Sequence, residues 1–481
     1  MSYTFPSAPS TSVPGVYPAN TVTNGNLVPV NDLVVIVAQS TSSGSAIDGA
    51  VVRVFDDADA NLSCGSGSPA AIAANAAFTA NPNVNLSILC IKDATSGAAA
   101  TATIYVNSVP SVAETDTIII DDVQIPFTYV PNGTDTVTNV AIDIYEAINA
   151  YSTSIPCLVL TPDGPSITLN AKTTGVWGNA INVSIVTDAT NISLESGFYS
   201  GSGSVNLGNY QTPGTYANTL ATIPHSVIIN ALGDSSNTAN ISQILAFRAG
   251  PLEQNYAVQI QAFNDNVFSS ASALSTFAAN INDPRTSVGY IAYATSGSIP
   301  KTSGPNLSAA FGALIPTSSG ITVNYPYDGL ILTGVAAPSY TDYFNGSEQN
   351  YLIINGVTPL ITKPGNQVVI CRAVSTSNDS NFLDTNEIRI IDYVDSQIVS
   401  GVKNNFQRVT LTSRVLNSIA SNIFNTTVSL EQVGILQNTG TYKSSIVATL
   451  DPVNLGQVDV TVPVSIVGGL HVIILNININ I

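Results

Sequence analysis

Few residues in this chain could do chemistry, and their spacing limits what chemistry that could be. There are two histidines: His225 opens an apolar run, and His471 lies inside the C-terminal apolar stretch. A Ser/His/Asp site would have to combine His225 with one of many serines, and no G-x-S-x-G elbow presents a nucleophile. Both histidines therefore read as structural. Four cysteines, Cys64, Cys90, Cys157 and Cys371, are widely spread, with no C-x-x-C pair and no histidine nearby. Zinc needs clustered thiolates or imidazoles, so the reading is of buried reduced thiols, with a disulfide across subunits as the alternative. Gly65-Ser66-Gly67-Ser68-Pro69-Ala70 matches G-x-G-x-x-A, and Asp93 follows at about the spacing of a ribose contact. A dinucleotide turn must follow a strand at once, yet nine residues separate the end of VVRVF at Phe55 from Gly65. These glycines read instead as a helix N-terminus. The acidic pairs Asp56/Asp57 and Asp121/Asp122 read as turn carboxylates with ordinary pKa values, and Asp143 with Glu146 as a solvated helix face. The expectation is a non-enzymatic protein with no catalytic residue, no cofactor and no metal.

One charge feature stands above background. Arg389, Lys403, Arg408 and Arg414 place four of the thirteen bases within 26 residues, where a uniform spread would give fewer than one. Two readings apply, a solvated helix pair or a face that docks on an acidic partner.

Elements able to position such a face must come from a chain of 481 residues, too long for one core. Hydrophobic residues make up 44%, which places it among globular proteins. Charged residues are only 9%, against ~25% in ordinary soluble domains, with Ser, Thr, Asn and Gly in their place. Such a surface suits a subunit largely covered by copies of itself. The formal charge of −18 opposes direct nucleic-acid binding, which needs clustered Lys and Arg to displace counterions. The start of the chain shows no basic residue and no apolar h-region, so no secretory signal is expected. The C-terminal apolar run alternates too regularly and holds too many Asn residues to span a bilayer, so membrane insertion is not expected.

Hydrophobic periodicity divides the chain further. LVVIVAQ (33–39) reads as a buried strand, GSPAAIAANAAFTA as a helix and VNLSILCI (84–91) as a strand. In 97–199, strand signals recur at ATIYV, TIIID, VQIPFTYV, CLVLT, SITLNA and INVSIV. One helix interrupts them, with Val137, Val140, Ile144, Tyr145 and Ile148 at helical spacing. Glycines 197, 201, 203 and 208 then suggest a Gly/Ser linker. From His225 onward strands and helices alternate (SVIIN, ANISQILAFRA, YAVQIQAF, SASALSTFAANI, VGYIAYA, NLSAAFGALI), which predicts βαβ units and a parallel sheet. YLIING (351–356) and QVVICRAV read as strands, followed by helices over 386–406 and 412–427. The predicted fold class is multidomain α/β, a discontinuous parallel-sheet core carrying an inserted β domain with one helix. Its expected parts are an N-terminal extended arm (1–33), core (34–96), insertion (97–199), core (200–364), an α+β C-terminal domain (365–459) and a C-terminal strand arm (460–481).

The two arms carry a signal of their own. Pro6, Pro9, Pro14, Pro18 and Pro29 keep the first from being helix. In the second, Val460, Val462, Val464 and Ile466 share one strand face, and Leu475, Ile477, Ile479 and Ile481 another, with a parity switch at Gly468-Gly469. A terminal strand without a neighbour is a template for pairing with another chain, so these residues are candidates for strand exchange between subunits.

Taken in order, the blocks resemble those of contractile phage tail sheath proteins of the gpL-like myophage family. VPGVY (13–17) is similar to the family's opening, and CGSGSPAAIAANAAFTANPNVNLSILCIKD to its F-G-x-G-S, helix, turn and strand block, with Cys64 in place of an aromatic. DDVQIPFTYVPNGTDTVTNVAIDIYEAINA and SITLNAKTTGVWGNAINVSI resemble its inserted β domain. AANINDPRTSVGYIAYA and SEQNYLIINGVTPLI resemble its core, and EIRIIDYVDSQIVSGVKNNFQ with TSRVLNSIASNIFNTTVSLEQVGIL its two-helix C-terminal domain. The chain departs from the family in its low charge. The resemblance implies a subunit that polymerises with itself as hexameric rings around a tail tube protein, in contact with baseplate and tail terminator proteins. It implies a place in a virion tail assembled in the host cytoplasm, and contraction that drives the tube through the host envelope. It also implies that Arg389, Lys403, Arg408 and Arg414 touch the tube. The alternatives are the sheath of a tailocin or other injection device and, in a different class, a carbohydrate-binding adhesin or surface-layer protein.

Overall fold

The computed structural model describes residues 32–93, 96–187, 191–208, 215–250, 253–293, 299–316, 323–453 and 457–471. These fall into two compact units, 32–389 with 469–471, and 390–468. Most of the expected N-terminal arm, together with Leu475, Ile477, Ile479 and Ile481, lies outside the described residues.

The larger unit is organised by an eight-stranded sheet in the order Gln367–Ile370, Val357–Lys363, Thr286–Tyr290, Val258–Phe263, Val227–Asn230, Val34–Gln39, Leu86–Ile91, Val51–Val54. The six inner strands pair in parallel, and each edge strand is antiparallel to its neighbour. Parallel strands need crossovers that cover both faces, which is why the inner strands read as unbroken apolar runs. Along Val34–Gln39 every residue is buried, with Val34, Ile36 and Ala38 in one apolar cluster and Val35 and Val37 in another across the sheet. The helices Pro69–Ala80 and Gly304–Ala313 cover the first face. Both are built of small residues, and a Cβ on Gly312 would lie 2.4 Å from Ile229 Cγ1, so only glycine permits this approach of helix to sheet. Helix starts are set by side-chain caps: Ser68 accepts from Ala71 N and Ser270 from Ala273 N, each relieving an orphan amide.

Residues after Gly97 leave this sheet and build a second core. One four-stranded sheet (Ile192–Tyr199, Thr101–Val106, Ser166–Ala171, Cys157–Val159) and one three-stranded sheet (Val123–Tyr129, Glu114–Ile120, Val183–Val186) enclose it with the helix Val137–Asn149. Val140, Ile144 and Ile148 of that helix are buried beside Ile104, Ile118, Phe127 and Trp177. The chain enters and leaves through paired segments, with Ala98 N donating to Ser202 O (3.0 Å) and Ser202 N to Ala98 O (3.1 Å). The glycines expected to form a loose linker are used for close contact. A Cβ at Gly201 would sit 2.5 Å from Gly175 O, and at Gly203, where φ is +84°, 2.9 Å from Gly97 Cα.

Three expectations are corrected here. Residues 351–356 are not a strand: Gly346–Ile354 is a helix, started by a capping box in which Asn345 accepts from Glu348 N and Glu348 accepts from Asn345 N. The C-terminal unit begins at Ile390 rather than 365, because Gln367–Ile370 is the antiparallel edge of the core sheet. It also extends past 460. In this unit, part of the helix Thr385–Phe406 and the helix Ser413–Gln432 pack with a hairpin, Val447–Leu450 against Val458–Thr461. A short pair, Leu436–Gln437 with Ser465–Ile466, completes it. Ile419, Ile423 and Ile446 form its core, with Ile398, Phe406, Val458, Val460 and Val462 against them.

Candidate assembly surfaces

The four bases separate in the structure. Arg389 is buried, and its guanidinium donates to both oxygens of Asp32 (2.7 and 2.8 Å), to Tyr327 Oη (2.6 Å) and to Ile315 O (2.6 Å). Burial works against its charge, and Tyr327 and Asp32 more than offset that, holding its pKa above the ordinary value. A group so enclosed cannot meet a tube, so Arg389 is withdrawn from the tube-contact set. Lys403, Arg408 and Arg414 are exposed. They lie at one end of the helix pair, in the last turn of the first helix, in the connection, and in the first turn of the second. Arg408 has φ of 65°, a left-handed conformation that favours glycine over any side chain.

The described part of the C-terminal arm has partners in its own chain. Val460 lies opposite Ala448, and Ile466 opposite Leu436. Val462 packs on the helix pair, while Val464 is 37% exposed. For Val460 and Ile466 strand pairing is therefore internal, which corrects the expectation that they are left for a neighbour. The hairpin is two-stranded among the described residues and carries exposed Val447 and Leu450. A half-paired, apolar hairpin is a surface on which a further strand can add.

The remaining chemistry-bearing residues are absorbed by the fold. Gly65 caps one helix and Ser68 starts the next, and Asp93 accepts from Thr174 N at 3.1 Å, so the G-x-G-x-x-A stretch is a helix–helix turn. His225 is buried against Arg248, whose Nη1 lies 2.6 Å from its Nε2. Burial, and then that guanidinium, push His225 well below the ordinary imidazole range. His471 Nδ1 is 2.6 Å from Asp328 Oδ2, and its Nε2 lies 3.2 Å from Asp384 Oδ2, while Asp384 also receives a bidentate pair from Arg372. Among the described residues no three His, Cys, Asp or Glu converge as metal ligands, and no helix is long and apolar enough to cross a membrane.

Two acidic pairs depart from the turn reading. Asp121 is buried, accepts from Asn182 N (2.9 Å), and is pushed well up by burial. Asp122 is raised to about 6 and Asp57 is also raised, both chiefly by burial. Asp57 and Asp122 line a cleft of about 880 Å³ between the insertion and the core, with Asn75, Thr302 and Asn306. Nothing in their local sequence announces this, because the burying elements come from both sides of the insertion. Lys172, likewise unmarked in sequence, bridges the same two bodies by donating to Ser66 O (3.3 Å) and to Ser152 O.

No family model matches the chain, and no curated protein matches it in sequence. Solved structures do. A chain of the anti-feeding prophage baseplate, solved by cryo-EM, aligns at a TM-score of 0.51 and 13% identity, over 98% of this chain and 100% of that one. The contracted helical sheath of the anti-feeding prophage aligns at 0.51 and 13%, over 97% and 99%. A sheath tail protein from Desulfitobacterium hafniense aligns at 0.47 and 13%, over 88% and 91%. At these identities the likeness is one of fold, and for the two anti-feeding prophage chains it runs nearly the length of this chain.

Proposed function

We propose that this protein is the structural subunit of a contractile sheath, stacked as hexameric rings around a tube and contracting to drive that tube through a host envelope. The observation that supports this most is the end-to-end fold likeness to the contracted sheath of the anti-feeding prophage, with 97% of this chain aligned. The low charge of the surface agrees with burial among copies. On this reading the work comes from inter-subunit contacts formed on contraction, and no nucleotide chemistry is required. The particle is a bacteriophage tail in our reading; a genome-free injection device uses the same sheath, and the presence of a capsid distinguishes them.

Lys403, Arg408 and Arg414 are the residues we assign to the tube. Exposed ion pairs are worth only ~0–1 kcal/mol each, which suits a subunit that must let go of the tube as it contracts. The hairpin of Val447–Leu450 and Val458–Thr461 is the proposed acceptor for a terminal strand of another copy, with Leu475, Ile477 and Ile479 as donor residues. Negative-stain microscopy of the overexpressed, purified protein tests the reading. Long hollow tubes are expected; dispersed monomers that bind glycans would favour the adhesin alternative and overturn it.

A further inference from the structure

Two of the four cysteines, 26 positions apart, meet in the core of the larger unit. Cys64 ends the helix Asp57–Cys64 and Cys90 lies in the strand Leu86–Ile91; both are fully buried, and their Sγ atoms are 2.7 Å apart. That separation is well inside van der Waals contact for two thiols and only about 0.7 Å longer than a disulfide bond of about 2.05 Å. Both backbones are fixed at this spacing. Thr41 N donates to Cys64 O (2.9 Å), Cys90 N donates to Ala50 O (3.0 Å), and Gly49 N donates to Cys90 O (2.9 Å). Closing the bond therefore needs side-chain adjustment and no rearrangement of the sheet.

We propose that Cys64 and Cys90 form an intrachain disulfide when the protein meets a small-molecule disulfide oxidant, and that they remain thiols under reducing conditions. The two thiols are not equivalent. With the Cys64 S–H as donor, that hydrogen bond draws Cys90 below the ordinary thiol range, against burial and with a smaller contribution from the Lys92 ammonium, whereas the same hydrogen bond and burial raise Cys64. In that arrangement Cys90 is the attacking thiolate; with the hydrogen bond reversed the two thiols exchange roles and the product is the same. Cys90 opens the S–S bond of the oxidant, forms a mixed disulfide and releases one small thiol. Cys64 then loses its proton and attacks Sγ of Cys90, expelling the second small thiol. The protein gives up two electrons and two protons, and the oxidant is reduced to two thiols. Entry is through segment 41–50, which hydrogen-bonds to the carbonyls of both cysteines and has no fully buried residue. The bond would tie this helix to the strand beside the sheet's outer edge, Val51–Val54.

The test uses the full chain incubated with oxidised glutathione or with excess reductant. Thiols titrated in denaturant should fall from four to two on oxidation. Residues 54–92 contain no Lys or Arg before Lys92, so trypsin releases both cysteines on one peptide, which should be lighter by two hydrogens without reduction. Thermal unfolding of the oxidised protein should move up by a few degrees, and Cys64→Ser should abolish both the mass change and the shift. A Cys157→Ala/Cys371→Ala variant should keep the loss of two thiols, which guards against misfolding of Cys64→Ser. Four thiols after oxidation, or the 54–92 peptide found only as a dimer or carrying glutathione, would overturn the proposal.

Discussion

Replacing Arg389 with Met separates an anchor inside the protein from a contact on its surface. The side chain of Arg389 is 6% exposed and that of Asp32 is 3%, so water cannot take over when the guanidinium is removed. Asp32 would lose both hydrogen bonds from Arg389 Nη2 and keep the one from Ser226 Oγ (2.8 Å), and Tyr327 Oη and Ile315 O would lose one donor each. Stranding one member of a buried ion pair costs about 3–5 kcal/mol, and four lost charge-assisted bonds place this site toward the top of that range. Methionine keeps most of the stem's apolar volume, so little of the loss comes from a cavity. Far-ultraviolet circular dichroism, which reports the helices and strands of the core as well as of the insertion, can follow urea unfolding. With a slope of a few kcal/mol per molar, the midpoint should fall by about 1 M. Adding Asp32→Asn should recover about half of the loss, because no buried charge is then left alone. If Arg389→Met shifts stability by less than about 0.5 kcal/mol, as exposed substitutions do, the anchor reasoning fails and Arg389 returns to the surface set.

Charge reversal at Lys403, Arg408 and Arg414 should leave unfolding unchanged but reduce co-sedimentation with tubes, and wild-type co-sedimentation should itself decline as salt rises; unchanged binding would mean a merely solvated face. Lys172 is drawn down to about 8 from 10.5, mainly by burial, so between those pH values the unfolded chain holds more protons than the native one. Stability should therefore rise with pH through that window, and the difference between wild type and Lys172→Met should show this slope; a flat difference from pH 8 to 10 would refute it.

What could be read from the sequence was whatever lies close along the chain. The βαβ succession was legible because strands buried on both faces are unbroken apolar runs and the helices between them start at Ser68 and Ser270 caps. Residues 351–356 look like a strand because Tyr351, Ile353 and Ile354 favour β structure, yet the capping box just upstream, a signal present in the letters, starts a helix. The fate of Arg389 was not legible, since its partner Asp32 lies 357 positions away and a count of charges cannot tell an enclosed cation from an exposed one. Alternation from Val460 to Ile466 marks a strand, but periodicity is silent about its partners, which are Ala448 in the preceding strand of the hairpin for Val460 and Leu436 for Ile466.

The paired entry and exit of the insertion have a consequence for how the protein is made. Among the described residues Val34–Gln39 is the first strand of the core to leave the ribosome, yet one of its two neighbours, Val227–Asn230, follows only after the whole insertion. At the usual pace of translation that wait is on the order of ten seconds, ample time for a domain with its own core to fold. Once Ala98 has found Ser202, more than a hundred residues count as a short step, and the entropic cost of bringing Val227 to Val34 falls accordingly. A long interruption in the gene thus becomes, for the nascent chain, a brief detour that returns the core to where it left off.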